Sequence, residues 1–427
     1  MKSLRQVVKR VLPRPVVDWF RGRLHSGTAK LGGQRPRILP EFGPSADHMI
    51  ELEAALWATS DHGYVDKLER SVRMTGRDSL SRARGSLALA RWDFHNGDID
   101  PALKRLDEIR PSDPALRAEV DLFRADCLCL LGRGQEAMST LSRMTGRFTS
   151  DSNLLLRVGH ARSLLREPVD HGSGPVTESL NRIYRAAGVG MIRRSSVEDP
   201  IGIDNIACEV PRAEPARSLP LVTVVVLLPE DLPEVFAGLS SLLDQSWPNL
   251  EIVLTGGPEV RDRMSADDAG AIDDLRIVVV DEGDWPQHLL APGLTRASGE
   301  LVTTHVYGSW AHPQRIEAQA TALLAEPTLR STVACHMKVH SDLDPRPLGT
   351  SPRMDLVGPG PHSAMIRRSG LTAEAVYAAY DRVLGSYSPV TGEMELQDDA
   401  ALVAGGVPLV FALNAAMVTG RHMAVSG

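Results

Sequence analysis

Two patterns of apolar and polar positions divide the chain into a helical half and a sheet-forming half. Between about residues 47 and 165, apolar and small residues recur every 35 positions. The recurring sets are Leu52, Leu87 and Leu122, then Ala55, Ala90 and Ala125, and the pair Ala102 and Ala137. Small residues at such a period are typical of stacked helix pairs that pack closely. The pattern predicts antiparallel helix pairs, with Gly97 and Gly132 at the turns between helices.

The second half of the chain shows the pattern of buried strands. Residues 221–228 form a continuous apolar and β-branched run, and shorter runs follow at 250–254 and 275–280. Such runs are typical of strands that are buried on both faces of a parallel sheet. With a helix predicted at about 232–243, the element order predicts one mixed, mainly parallel α/β sheet over about residues 219–420. Ligands are expected at the carboxyl ends of its strands.

These patterns predict four regions along the chain. They are a basic amphipathic head and linker (1–46), helical repeats (47–165), a helix and connector (166–218), and an α/β domain (219–427).

Charge is distributed unevenly between the head and the rest of the chain. Residues 1–37 carry +9, while the whole chain carries −7, so the remainder carries −16. An acidic body argues against general nucleic-acid binding, because phosphate contacts dominate that affinity. In the head, Trp19 and Phe20 lie among basic residues, a pattern typical of peripheral binding to an anionic membrane surface. The alternative is a tail that packs on the body.

Composition excludes several other classes of protein. With 43% apolar and 24% charged residues, the chain is neither a disordered chain nor a membrane bundle. Four cysteines are too few for a disulfide scaffold of this length, and no secretory signal pattern opens the chain. We therefore expect a cytoplasmic protein, peripheral at the inner face of the cell membrane.

Several segments resemble known families. The segments 219–226, 239–254, 293–303, 310–317 and 362–368 resemble, in order, those of family 2 glycosyltransferases. The resemblance covers roughly residues 175–420 and implies a nucleotide-sugar-binding α/β fold of the GT-A type. The helical half resembles tetratricopeptide repeats, which implies a protein partner. Together they imply a role in the synthesis of cell-surface polysaccharide or glycan.

Because ligands bind at the carboxyl ends of parallel strands, we expect the donor nucleotide that the resemblance implies to bind after the first two strands of the sheet. The implied nucleotide-binding residues are Pro229 and Glu230 after the first strand, and Thr255, Gly256 and Gly257 after the second. In the family an acidic pair at the second place meets the nucleoside, and here that place reads Thr255-Gly256.

The family's metal motif is missing. Family 2 enzymes hold the leaving diphosphate through an Asp-x-Asp motif and a divalent cation, whereas residues 305–309 here read His-Val-Tyr-Gly-Ser. We therefore expect no cofactor, and in particular no Mg²⁺ or Mn²⁺. The local matches for the family's catalytic base are Glu393 and Glu395, with a solvated acidic helix start as the alternative.

Three hypotheses of function follow. The first is a glycosyltransferase, of the hexosyltransferase class if active, that transfers a sugar from a nucleotide-sugar donor to a glycan acceptor. The second is a pseudo-glycosyltransferase scaffold, which the missing carboxylates favour. The third is a helical-repeat adaptor that binds a protein partner.

Overall fold

The computed structural model describes a helical N-terminal region followed by mixed α/β sheets. The described residues are 44–59, 61–76, 79–110, 113–145, 151–166, 174–196, 202–208, 210, 219–228, 236–256, 275–279, 287–306, 308–339, 343, 345–346, 356–360, 363–368, 387–388, 393–394, 399–404 and 407–413. The chain divides into two compact units, the first made of residues 1–149, 349–354 and 388–391, the second of 150–348, 355–387 and 392–427. The head predicted to bind a membrane lies outside the described residues, and no helix within them is long and apolar enough to cross a bilayer.

Between residues 44 and 145, the described part of the first unit is helical wherever it forms regular structure. Its helices are α1 (Ala46–Thr59), α2 (His62–Met74), α3 (Leu80–His95), α4 (Ile99–Glu108), α5 (Pro114–Leu130) and α6 (Gly134–Thr145). Gly97 and Gly132 follow α3 and α5 with φ of +89° and +71°, in the left-handed region that favours glycine. Ala102 and Ala137, early in the next helices, are fully buried. The turn and close-packing positions predicted from sequence are confirmed.

A buried ion-pair cluster joins three helices of the first unit. Arg91 on α3 donates to Glu53 on α1 at 2.6 Å and to Glu119 on α5. The Arg91 side chain is only 2% exposed. Removing either carboxylate would leave this buried charge less well paired, which is more costly than losing a surface pair. The cluster therefore fixes how the helices of this unit stack.

The second unit combines helices with a sheet of seven strands, a sheet of five strands and short two-stranded pairs. Its helices are α7 (Ser152–Leu164), α8 (Pro175–Ala187), α9 (Phe236–Leu243), α10 (Gln287–Arg296) and α11 (Arg315–Ala325). Its strands are β1 (Ile192–Arg194), β2 (Ile206–Cys208), β3 (Val222–Leu227), β4 (Leu250–Gly256), β5 (Leu275–Val279), β6 (Leu301–Val306), β7 (Ser309–Ala311), β8 (Ser331–Val333), β9 (Cys335–Val339), β10 (Pro345–Arg346), β11 (Val357–Pro359), β12 (Met365–Arg367), β13 (Tyr387–Ser388), β14 (Glu393–Met394), β15 (Ala400–Leu402) and β16 (Pro408–Leu413).

The main sheet has seven strands in the order β15-β8-β12-β6-β3-β4-β5. Strands β6, β3, β4 and β5 run parallel, and β12 is antiparallel to both β6 and β8. The strands predicted at 221–228, 250–254 and 275–280 are confirmed as β3, β4 and β5, within two residues at each end. Helix α10 lies close against this sheet, because a Cβ on Gly293 would come within 2.4 Å of the Val225 side chain.

The prediction of a single sheet is wrong. A second sheet of five strands has the order β10-β9-β16-β7, with β11 also paired to β9. The chain leaves the main sheet after β6 at a turn in which Gly308 has a φ of +71°, and β7 then pairs with β16. Trp310 on β7 stacks on Phe411 of β16 at 5.1 Å between ring centroids. This tight turn separates two strands that sequence pattern alone would place in one sheet.

Residues before the main sheet complete the core around the second sheet. Eight side chains from α7, α8, β1, β2 and the turn before β2 lie in one apolar cluster with Trp310, Met337 and Phe411. They are Leu156, Val176, Leu180, Ile183, Tyr184, Ile192, Ile203 and Ile206. The buried Tyr184 hydroxyl donates to the carbonyl of Pro408 at 2.7 Å. Part of the segment predicted as a connector is thus a structural layer of the α/β unit.

Candidate functional site at the strand switch point

In the main sheet the strand order reverses at β3: the chain first adds β4 and β5 on one side of β3, and then adds β6 on the other side. This strand is the first of the parallel set along the chain, and it lies between β4 and β6. At the carboxyl ends of β3 and its neighbour β6, Leu227 pairs with Val306. Open α/β sheets bind ligands in the crevice outside such a switch point. The carboxyl ends of β3 and β6 therefore define the candidate site.

A hydrogen-bonded turn closes the β6 side of this site. The Nε2 atom of His305 lies 2.9 Å from the carbonyl oxygen of Ser309. Its Nδ1 atom lies 3.3 Å from a guanidinium nitrogen of Arg315, which can only donate. The ring therefore accepts at Nδ1 and donates its Nε2–H to Ser309. Both ring nitrogens are occupied within the protein.

The His305 ring is neutral at ordinary pH. Burial is the main cause that lowers its pKa to about 3, and the nearby positive charge of Arg315 lowers it further, while the bond to Ser309 acts the other way. The side chain is almost fully buried in β6. Such a ring serves as a structural hydrogen-bonding group and does not exchange protons with a substrate near neutral pH.

Arg315 is the centre of the polar network beneath this turn. It is the first residue of α11 and is fully buried. Its acceptors are the side chains of Gln319, His305 and Thr303 and the main-chain carbonyls of Thr304 and Ser363. These contacts, at 2.6 to 3.5 Å, connect α11 with β6 and with the segment that leads into β12. The sequence pattern did not single out Arg315.

The turn that leads into α11 is held from two sides. Gln245, after α9, donates to the carbonyls of Ala311 and His312 and accepts from the N–H of Ile316. From the other side, the Nε2–H of His312 donates to the carbonyl of Gly190 at 2.9 Å, because its Nδ1 accepts from the N–H of Gln314. Burial lowers the pKa of His312 to about 4, so this ring is neutral too.

The predicted nucleotide-binding residues are only partly described. Thr255 and Gly256 end β4 at the carboxyl edge, and both are buried. The Thr255 hydroxyl donates to the carbonyl of Val226 at 3.3 Å, so it is engaged within the sheet. Pro229, Glu230 and Gly257 lie outside the described residues. The predicted role of this set in nucleotide binding stays a prediction.

Of the two predicted catalytic carboxylates, only Glu393 belongs to the described residues. Glu393 is the first residue of the two-residue strand β14, described for its backbone, and Glu395 lies outside the described residues. Their assignment as catalytic bases stays a prediction.

The described residues do not fit the divalent cation that the family resemblance implies. Hard cations need several oxygen ligands, usually carboxylates. The His305 ring offers no free lone pair, and the positive charge of Arg315 lies within 3.3 Å of it. Within the described ranges, no group of three His, Cys, Asp or Glu side chains could hold a metal ion. No chemical step is therefore assigned to a cation at this turn.

Comparisons with known proteins give partial similarity to solved structures. No protein-family model matches the chain. No curated protein matches it. Among solved structures, the chain is similar to the mannosyltransferase PcManGT from Pyrobaculum calidifontis in complex with GDP-Man and Mn²⁺, at 16% identity and a TM-score of 0.27. That similarity covers 44% of this chain and 58% of the other, so the chain spans less than two thirds of that structure.

Proposed function

We propose that the α/β unit is a glycosyltransferase-like domain that binds the nucleotide of a sugar donor at the switch point of its main sheet, with metal-dependent transfer reduced or lost. The proposal is supported by the ordered resemblance of five segments to family 2 glycosyltransferases. It is also supported by the position of the switch point, where β3 and β6 end side by side. The role lies in the synthesis of cell-surface polysaccharide or glycan.

One observation supports the loss of metal-dependent transfer most strongly. At the end of β6, where the resemblance places carboxylates, a neutral His305 donates to Ser309 and accepts from Arg315. A departing diphosphate needs its developing charge neutralised, and in the family a cation does so. Without carboxylates at this turn, a cation has no described ligands. The domain therefore binds nucleotide without using it efficiently as a sugar donor.

The second candidate function is that of a scaffold or adaptor. The first unit consists of paired helices, and such units commonly bind proteins through extended surfaces. In this arrangement the helices bind a protein partner, the head of residues 1–37 contacts an anionic membrane surface, and the α/β unit serves as a platform. A glycan acceptor would then be handled by the partner.

Nucleotide titration tests the proposed function. We expect uridine or guanosine diphosphate sugars to bind the whole chain with an affinity that is the same in EDTA and in Mn²⁺, because the described turn residues offer no cation ligands. Isothermal titration calorimetry measures both affinities, and released nucleotide reports turnover.

A matched control is Thr59→Ala, an exposed position in the first unit that should leave nucleotide binding unchanged. Turnover that requires Mn²⁺ would contradict the loss of metal-dependent transfer. If no nucleotide binds under either condition, the scaffold or adaptor function remains and the nucleotide-binding function is wrong.

A further inference from the structure

A basic surface lies at the carboxyl-terminal end of α8 and in the segment that follows it. Residues 179–196 contain four arginines and no acidic residue, although the chain after residue 37 carries a net charge of −16. Arg182 and Arg185 are exposed and lie about one turn apart on the same face of α8. Arg193 and Arg194 follow on β1, where they have interactions of their own, so we do not count their charges.

Acidic neighbours do not cancel the charges of Arg182 and Arg185 in the part of the chain that the structure describes. The natural partner of Arg182 is Glu178, four residues earlier on α8. Glu178 instead accepts from Arg162 on α7 at 2.9 Å. Arg185 places a guanidinium nitrogen 3.3 Å from the sulfur of Met191 and makes no ion pair with a described residue. The surface therefore presents two positive charges to solvent.

Met191 adds an apolar side chain to this surface, on a turn that is held on both sides. Its side chain is 48% exposed. The residue before it, Gly190, donates its N–H to Oε1 of Gln314 at 2.7 Å. The residue after it, Ile192, exchanges two hydrogen bonds of 2.8 Å with the side chain of Asn181 on α8. The fold therefore fixes the exposure of this methionine beside the two arginines.

An anionic lipid bilayer fits this surface better than a nucleic acid does. An anionic leaflet attracts basic side chains, and an exposed apolar side chain among them inserts at the acyl boundary. The aromatic residue of this segment, Tyr184, is buried and offers no platform on which a base could stack. Because salt screens charges beyond a Debye length of about 8 Å, a leaflet in contact responds to these arginines more than to the acidic residues elsewhere.

We propose that Arg182, Arg185 and Met191 form a docking surface for an anionic lipid bilayer. The basic head of residues 1–37 is predicted to contact the same kind of surface. Stable attachment to a membrane usually takes two weak signals, and the head and this docking surface together supply two. The docking surface is separate from the proposed nucleotide site and does not depend on nucleotide binding.

Vesicle sedimentation with the whole chain tests the docking surface. Vesicles of phosphatidylcholine with about 30% phosphatidylglycerol are compared with vesicles of phosphatidylcholine alone. We expect the double variant Arg182→Gln, Arg185→Gln to lower the partition coefficient on the anionic vesicles roughly thirtyfold, because each arginine near an anionic leaflet contributes about fivefold. The double variant Arg182→Lys, Arg185→Lys keeps both charges and should bind as wild type does.

Substitution of Met191 tests the apolar part of the docking surface. Met191→Ser should lower the partition coefficient roughly fivefold, because it removes the apolar contact with the bilayer. This loss should be similar at about 50 mM and at about 500 mM salt, whereas the effect of the glutamine pair should shrink, since salt screens charge but not apolar contact. Thermal melts check that each variant is folded.

A matched control removes two exposed arginines elsewhere in the same unit. The double variant Arg166→Gln, Arg330→Gln makes the same change in net charge and should bind vesicles within about twofold of wild type. Equal losses in the two glutamine pairs would overturn the docking surface, because only net charge would then matter. An unchanged partition coefficient in Arg182→Gln, Arg185→Gln would also overturn it. If wild type binds no anionic vesicle, the membrane is not the partner and an acidic protein takes its place.

Discussion

A chain shortened to begin at residue 150 is expected to fold, whereas a chain that begins at residue 219 is expected to remain unfolded or aggregate. The shorter chain lacks eight side chains that are buried in the core around the second sheet. Burying one large apolar side chain contributes about 1.5–3 kcal/mol, and whole domains are stable by only about 5–15 kcal/mol. The burial free energy lost with these eight side chains therefore exceeds the unfolding free energy of a typical domain.

Polar contacts strengthen this expectation. Asn153 on α7 accepts from the N–H groups of Leu356 and Val357, and the Tyr184 hydroxyl donates to Pro408. Without residues 150–218 these backbone groups lose their partners. Circular dichroism and thermal melts of both shortened chains measure the outcome. A cooperative melt of the chain from residue 219, near that of the chain from residue 150, would contradict the assignment of this layer.

Point variants provide the matched control for the shortened chains. Leu180→Ala removes a fully buried side chain from the same layer and should cost about 2–5 kcal/mol of unfolding free energy. Leu243→Ala removes an exposed leucine from α9 and should cost much less. Urea unfolding compares the two. Equal effects would show that the layer is not part of the cooperative core.

The α/β unit is expected to lose stability steeply below pH 6.5. Burial holds the pKa of His305 at about 3 and that of His312 at about 4 in the folded state, whereas an unfolded histidine titrates near 6.5. As pH falls through 6.5, the unfolded chain takes up two protons that the folded unit excludes. Unfolding free energy therefore decreases between pH 6.5 and about 4, by up to about 1.4 kcal/mol per pH unit for each ring.

Urea midpoints at pH 7.5 and pH 5 measure this effect, and variants isolate each ring. At pH 5 each ring should account for about 2 kcal/mol of lost unfolding free energy. His312→Gln should therefore destabilise the α/β unit at pH 7.5 but flatten the pH dependence of its unfolding free energy. His62→Gln, at an exposed position of the first unit, should leave that pH dependence unchanged. An equal pH dependence in wild type and His312→Gln would contradict the burial of a neutral ring.

The main sheet was predictable because its strands carry long apolar signals. The continuous β-branched runs mark β3, β4 and β5 even without tertiary information. The second sheet was not, because β7 and β11 are only three residues long and show no period that could be recognised. The pairing of β7 depends on the turn at Gly308 and on contacts with β16 far along the chain, and β11 pairs with β9.

Of the chemistry of the site, the sequence could predict only which groups are absent. The sequence shows that residues 305–309 lack carboxylates. It does not show that Arg315 is buried, because arginine is mostly exposed in proteins. The signal was the polar pair Arg315 and Gln319, four residues apart on a helix whose neighbours Ile316 and Ala320 are apolar and fully buried. Such a pair on an apolar helix face indicates a buried polar network.

The most direct test of the proposed loss of metal-dependent transfer is a measurement of Mn²⁺ binding by the whole chain. Electron paramagnetic resonance detects the free ion, with and without GDP. The His305 and Arg315 network predicts that the protein removes no more free Mn²⁺ than the nucleotide alone does. A protein-dependent dissociation constant in the low micromolar range, lost in Glu393→Gln or Glu395→Gln, would contradict it and restore a metal-dependent transferase.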